Sequence, residues 1–88
     1  MKPKILLCFD ESEYPTTLEI DLQIIPRIGE SLDLRQFGRP YDDKVFHIFE
    51  ISHVIKKSKI VKDYYTNSIL ISITSNKLQA KRYIDSIN

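Results

Sequence analysis

Within Thr17 to Ile25 the chain alternates without a break over the seven residues Leu18 to Ile24. Leu18, Ile20, Leu22 and Ile24 fall on one parity, and Glu19, Asp21 and Gln23 on the other. A period of two puts all four apolar side chains on one face of an extended strand, whereas a helix would scatter them around its cylinder. The segment is therefore predicted as a strand with one buried and one wet face, with Ile20 and Leu22 in the main apolar stripe. A strand of this kind needs a sheet to belong to, which makes the chain a β protein first.

The flanking segments extend that reading. Residues 4–9 (Lys4-Ile5-Leu6-Leu7-Cys8-Phe9) form an apolar strand closed by the acidic turn Asp10-Glu11-Ser12-Glu13. Pro26-Arg27-Ile28-Gly29-Glu30 is a turn or bulged corner, because Pro has no ladder donor and Gly29 supplies a permissive backbone. Pairing resumes with Leu32 and Leu34 on one face and Ser31, Asp33 and Arg35 on the other, and Gly38–Asp43 is a second turn region. Lys44 to Ile55 is a long strand with apolar residues on both parities: Val45, Phe49 and Ile51 with His47 and His53, against Phe46, Ile48 and Val54. Such a strand bends, bulges or is covered on both faces. Residues 56–67 read as a polar, basic connection. Ser68 to Thr74 is a further strand, with Ile69, Ile71 and Ile73 in register. The period then changes: Asn76 and Gln79 fit a capping box, and Ala80, Tyr83, Ile84 and Ile87 recur at helical spacing over about residues 77–87.

Four or five strands with short turns and a terminal helix, in 88 residues, predict one mostly β domain over residues 1–88. The expected architecture is a small, partly open SH3-like barrel of about five strands with a C-terminal amphipathic helix; an OB-like barrel is the alternative. The stretch Ile24–Leu34, with its Pro26-Arg27-Ile28-Gly29-Glu30 corner, followed by Lys44–Val54, in which His53 precedes Val54, resembles small SH3-like β-barrel domains of uncharacterised bacterial proteins. The resemblance covers residues 18–55. It implies the fold and carries no activity, substrate or site residue with it.

Chemistry-bearing patterns are sparse. His47 and His53 are six apart, roughly 20 Å on a straight strand, too far for one metal ion. The cluster Asp10, Glu11 and Glu13 lacks the alternating ligands and glycine of a calcium loop and reads as a solvated turn. Cys8 is the sole cysteine, so no intramolecular disulfide can form, and its apolar setting suits a buried, inert thiol. No nucleophile elbow, phosphate-cradling loop or assignable acid–base pair occurs. Glu50 and His53, the best pair for an unconventional enzyme site, have opposite parity unless a bulge lies between them. The expectation is no catalytic, metal or cofactor-binding residue. The N-terminal apolar run is too short for a signal peptide, and no stretch is long enough to span a bilayer, so the expectation is a cytoplasmic protein without a membrane role.

Charge supplies the remaining candidate. Residues 1–34 hold three basic and seven acidic side chains, a net of −4, and residues 35–88 hold ten and five, a net of +5. Depending on whether a barrel separates or mingles these halves, the surface gains a positive side or loses it. Within the basic connection, Lys56, Lys57, Lys59 and Lys62 are followed by Tyr64 and Tyr65, a set suited to phosphates and unpaired bases or to a protein partner. The plainer reading is a solvated loop with Ile60, Val61 and one tyrosine tucked against the barrel rim. Arg27, Lys81 and Arg82 are possible extensions of the patch. The function expected first is a non-catalytic module that binds another protein, or itself, through an edge strand or loop. The alternative is nucleic-acid binding through the basic 56–65 loop.

Overall fold

Three isoleucines at alternate positions, Ile69, Ile71 and Ile73, are buried at the centre of a five-stranded sheet. The structure, a computed structural model, describes residues 3–42, 44–60, 62 and 65–87. Its strands are β1 (Lys4–Phe9), β2 (Thr17–Ile20), β3 (Ser31–Asp33), β4 (Val45–Lys57) and β5 (Tyr65–Thr74), followed by helix α1 (Lys77–Ile87). The sheet order is β2-β1-β5-β4-β3, and the sheet curls into a half-barrel. β1 and β5 pair in parallel, while the other three pairs are antiparallel. The protein is thus mostly β, a small partly open barrel with a C-terminal helix.

The inner face of the half-barrel is built from alternate residues of each strand. Ile5 and Leu7 of β1, Phe46 and Ile48 of β4, and the three isoleucines of β5 are buried, with Leu18, Ile20, Leu22, Leu32 and Ile51 packed beside them. Two loops contribute a rigid aromatic group. Tyr14 and Tyr41 stack on Phe9 with ring centroids 5.2 and 5.5 Å apart, and Phe46 meets Phe9 and Tyr14 edge-on. Aromatic pairs of this geometry add roughly 0.5–1.5 kcal/mol each beyond burial.

A β-bulge reconciles the mixed parity of β4. The ladder to β5 runs regularly to Ile48 opposite Ile73 and resumes with Glu50 opposite Ser72, leaving Phe49 as the extra residue. One inserted residue swaps the faces beyond it. Phe46, Ile48 and Ile51 can therefore all join the core, although their numbering crosses parity. Phe49 packs instead on Tyr83 of α1, ring centroids 4.4 Å apart. The helix begins where the sequence places it. Asn76 Oδ1 accepts the Gln79 N–H at 3.0 Å, and Ala80 is buried.

Three segments differ from expectation. β3 stops at Asp33, and Arg35–Phe37 coil into a short 3-10 helix instead of continuing the pairing through Arg35. The alternation over 17–25 forms a strand only to Ile20, because β1 offers partners just for Thr17 to Ile20. Leu22 still packs on the core, but Ile24 is 83% exposed. Similarly, residues 56–67 are not all connection. Lys56 and Lys57 end β4 opposite Thr66 and Tyr65 of β5, so the two strands continue as a ribbon whose residues are polar enough to pass for a loop.

The corner before β3 forms as expected. Gly29 adopts φ 93°, a left-handed conformation that disfavours any side chain, and its N–H donates to the Ile48 carbonyl at 2.9 Å.

Trimming Ile71, fully buried, to valine should lower unfolding free energy by about 1 kcal/mol, whereas Ile24→Val should change it by no more than a few tenths. Urea denaturation of the two variants checks this, and equal losses would contradict the placement of Ile24.

Candidate interaction surface

The longest strands outrun their neighbours. β3 pairs with β4 only at Val45–His47, and Gly29 and Glu30 continue the contact as far as Ile48. On the far side of the hairpin, β1 covers β5 only from Ser68 to Ile73. From Glu50 to Lys57, β4 therefore has β5 on one side and, among the described residues, no strand on the other. At about 3.3 Å per residue this is an edge of roughly 25 Å. The projecting hairpin shows in the dimensions. The radius of gyration is 14.5 Å and the longest extent 44 Å, against about 12 Å for the radius of a typical compact domain of this length.

The arm has two distinct faces. Ile51, His53 and Ile55 follow the inner row, opposite Ile71, Ile69 and Asn67 of β5. Glu50, Ser52, Val54 and Lys56 follow the outer row, opposite Ser72, Leu70, Ser68 and Thr66. Ile51 still touches the core, whereas Ile55 lies past it and is 66% exposed. Alternate residues of an unpaired edge also present N–H and C=O groups sideways, ready to pair with another strand.

The candidate lysines from the sequence gather at the tip of this arm. Lys56 and Lys57 close β4, and Lys59 and Lys62 lie in the turn beyond it; all four are exposed. Among the described residues none of the four forms an ion pair. Tyr64 lies outside the described residues, and for Tyr65 the description covers only the backbone, which opens β5 opposite Lys57. Ile60 does not tuck against the rim; it is 95% exposed. Val61 lies outside the described residues. Lys81 does not extend the patch. It lines a groove beside His47, nine strand residues from Lys56, or roughly 30 Å.

That groove, about 610 Å³, runs between α1 and the start of β4, with Ile48 and Ile84 among its apolar lining and Lys77, Lys81, Ser31 and His47 among its polar groups. His47 Nδ1 lies 3.2 Å from Ser31 Oγ across the β3–β4 pair. The bulge places His47 and His53 on opposite faces, since they oppose Thr74 and Ile69 respectively. The same irregularity ends at Glu50, so it does not fall between Glu50 and His53, and those two side chains stay on opposite faces.

The acidic turn is divided among separate partners. Both Asp10 carboxylate oxygens accept from the Tyr83 hydroxyl, at 3.1 and 3.2 Å. Glu11 accepts from the Ser75 hydroxyl and, at 3.1 and 3.2 Å, from its N–H. Glu13 pairs with Lys44 at 3.4 Å. These carboxylates therefore fasten the β1–β2 turn to α1, to the end of β5 and to the loop before β4. Among the described residues, no three or more His, Cys, Asp or Glu side chains gather as a metal site. Cys8 is half-buried, and burial pushes its thiol pKa up, away from the nucleophilic thiolate. Among the described residues, no helix is long and apolar enough to cross a membrane.

Compared with known proteins, the chain matches no family, no curated protein and no solved structure.

One carboxylate near the sheet edge has a strongly shifted titration. Asp33 accepts from the Arg35 guanidinium at 2.9 and 2.7 Å and from the Arg35 N–H at 3.0 Å. These bonds, the guanidinium's foremost, hold its pKa at about 2. A folded-state pKa below the unfolded value contributes stability that is present above about pH 4 and lost as pH falls toward 2. The pair is exposed, so the contribution is small. Asp33→Asn should lower the thermal midpoint slightly at neutral pH and flatten its decline between about pH 4 and 2. Parallel midpoint-versus-pH curves for the variant and the wild type would refute the pairing.

Proposed function

We propose that the protein is a non-catalytic binding module that takes an extended protein segment along the free edge of β4. The observation that carries this reading is the run from Glu50 to Lys57, which pairs with β5 on one side and, among the described residues, with no strand on the other. Strand addition draws affinity from main-chain hydrogen bonds and specificity from alternate side chains. Here the inner row offers Ile51 and the exposed Ile55, and the outer row offers Glu50 and Lys56. A cytoplasmic setting accords with a chain whose one thiol, Cys8, has no second cysteine to pair with.

Panning a displayed library of short random peptides against the domain tests the reading. Bound peptides should shift the backbone amide resonances of Glu50–Lys57 and leave those of β2, at the other edge of the sheet, in place. Binders that perturb a different surface, or a library that yields none, would overturn it.

A second reading has its own observation, the four exposed lysines at the arm's tip. They would engage nucleic-acid phosphates by charge, with affinity falling steeply as salt rises. Fluorescence anisotropy with labelled single- and double-stranded DNA and RNA should then show a large loss when Lys56, Lys57, Lys59 and Lys62 are changed to glutamate. Affinity unchanged in that variant would sink this reading.

A further inference from the structure

We propose that the occupant of the β4 edge is a second copy of β4, paired antiparallel about a twofold axis at His53. The proposal rests on the reading of that edge as a binding surface and goes further by naming the partner and its register.

Backbone geometry restricts the choice. Beyond the bulge β4 is regular, so the backbone groups of alternate residues face the free edge. Residues opposed in an antiparallel pair must both face each other or both face away. Two copies of one strand can therefore meet only in registers that place residues of the same parity opposite one another. Each such register is centred on a single residue.

Among the centres Ser52, His53 and Val54, only His53 matches the side chains. It sets Glu50 opposite the partner's Lys56 and Lys56 opposite the partner's Glu50, on the outer face. On the inner face it sets Ile51 opposite the partner's Ile55, covering the exposed Ile55 twice over. Centring on Ser52 would place Glu50 against Val54, and centring on Val54 would place Ile51 against Lys57. Directly opposed residues on one face interact most strongly, favourably for opposite charges and unfavourably for like ones. The stretch between Glu50 and Lys56 also lacks the lysine or proline that commonly guards a bare edge. An interface of seven residues from each copy is small, which fits a dimer that forms and dissociates readily.

Charge exchange between separate chains provides the test. The mass of the wild-type protein, measured by sedimentation equilibrium from micromolar to millimolar concentration, should rise from 10.3 kDa toward twice that value. Glu50→Lys and Lys56→Glu, each alone, should weaken association about tenfold or more, because each places two like-charge pairs across the dimer. An equimolar mixture of the two variants should recover association, since both outer pairs then join a lysine on one chain to a glutamate on the other. Recovery also shows that both variants are folded. A wild type that stays monomeric throughout overturns self-pairing, while peptide panning separately decides whether the edge binds other segments. A dimer indifferent to both substitutions, or variants that fail to recover on mixing, overturns this register.

Discussion

The extra residue at Phe49 determines what β4 can do. A regular thirteen-residue strand with this sequence would face a conflict. Phe46 and Ile48 would line the core while Ile51 pointed out, or the reverse. Inserting Phe49 shifts the phase once, so the lower half brings Ile51 to the same interior that Phe46 and Ile48 fill. The displaced ring is not wasted on solvent, because Tyr83 of α1 packs against it. The same shift sorts the arm's outer half into one row of isoleucines and histidine and another of Glu50, Ser52, Val54 and Lys56. Core packing, helix docking and the character of the exposed edge thus meet at one backbone irregularity.

Local patterns made much of this legible. The apolar run at residues 4–9 and the capped period at 77–87 became elements with those bounds, because each carries its own start and stop signals. The mixed parity of residues 44–55 pointed to a bend or bulge. What was not legible depended on partners. Alternation at Leu22 and Ile24 looks identical to that at Leu18 and Ile20, yet a strand exists only where β1 lies alongside. Lys56–Lys57 and Thr66–Asn67 looked like a loop because a two-stranded ribbon beyond the core has no reason to be apolar on either side. Tyr14 and Tyr41 sit next to turn signals, and nothing in their neighbours revealed that they stack together over Phe9.

The candidate surface was only half visible for the same reason. Composition marked the lysines, and they do cluster at the hairpin's end. The bare edge behind them is a property of lengths: β4 continues for many residues after β3 stops. A strand's length relative to its neighbour cannot be read until both are paired. The acidic turn teaches the complementary lesson. Asp10, Glu11 and Glu13 are adjacent in sequence and invite a joint role, yet each is committed to a different element of the fold.

The parallel pairing of β1 with β5 has a kinetic consequence. β1 sits between β2, which follows it closely, and β5, whose Ser68 opposes Lys4 from sixty-four residues away. The early hairpin of β1 and β2 can form from local chain alone, but its other edge stays open until the distant strand arrives. Closing so large a loop costs entropy before the pairing returns anything. Ile5 and Leu7 therefore gain their neighbours Ile69 and Ile71 only when that long loop closes. Closure of the sheet at β5 is thus a long-range step that the local β1–β2 hairpin cannot make by itself.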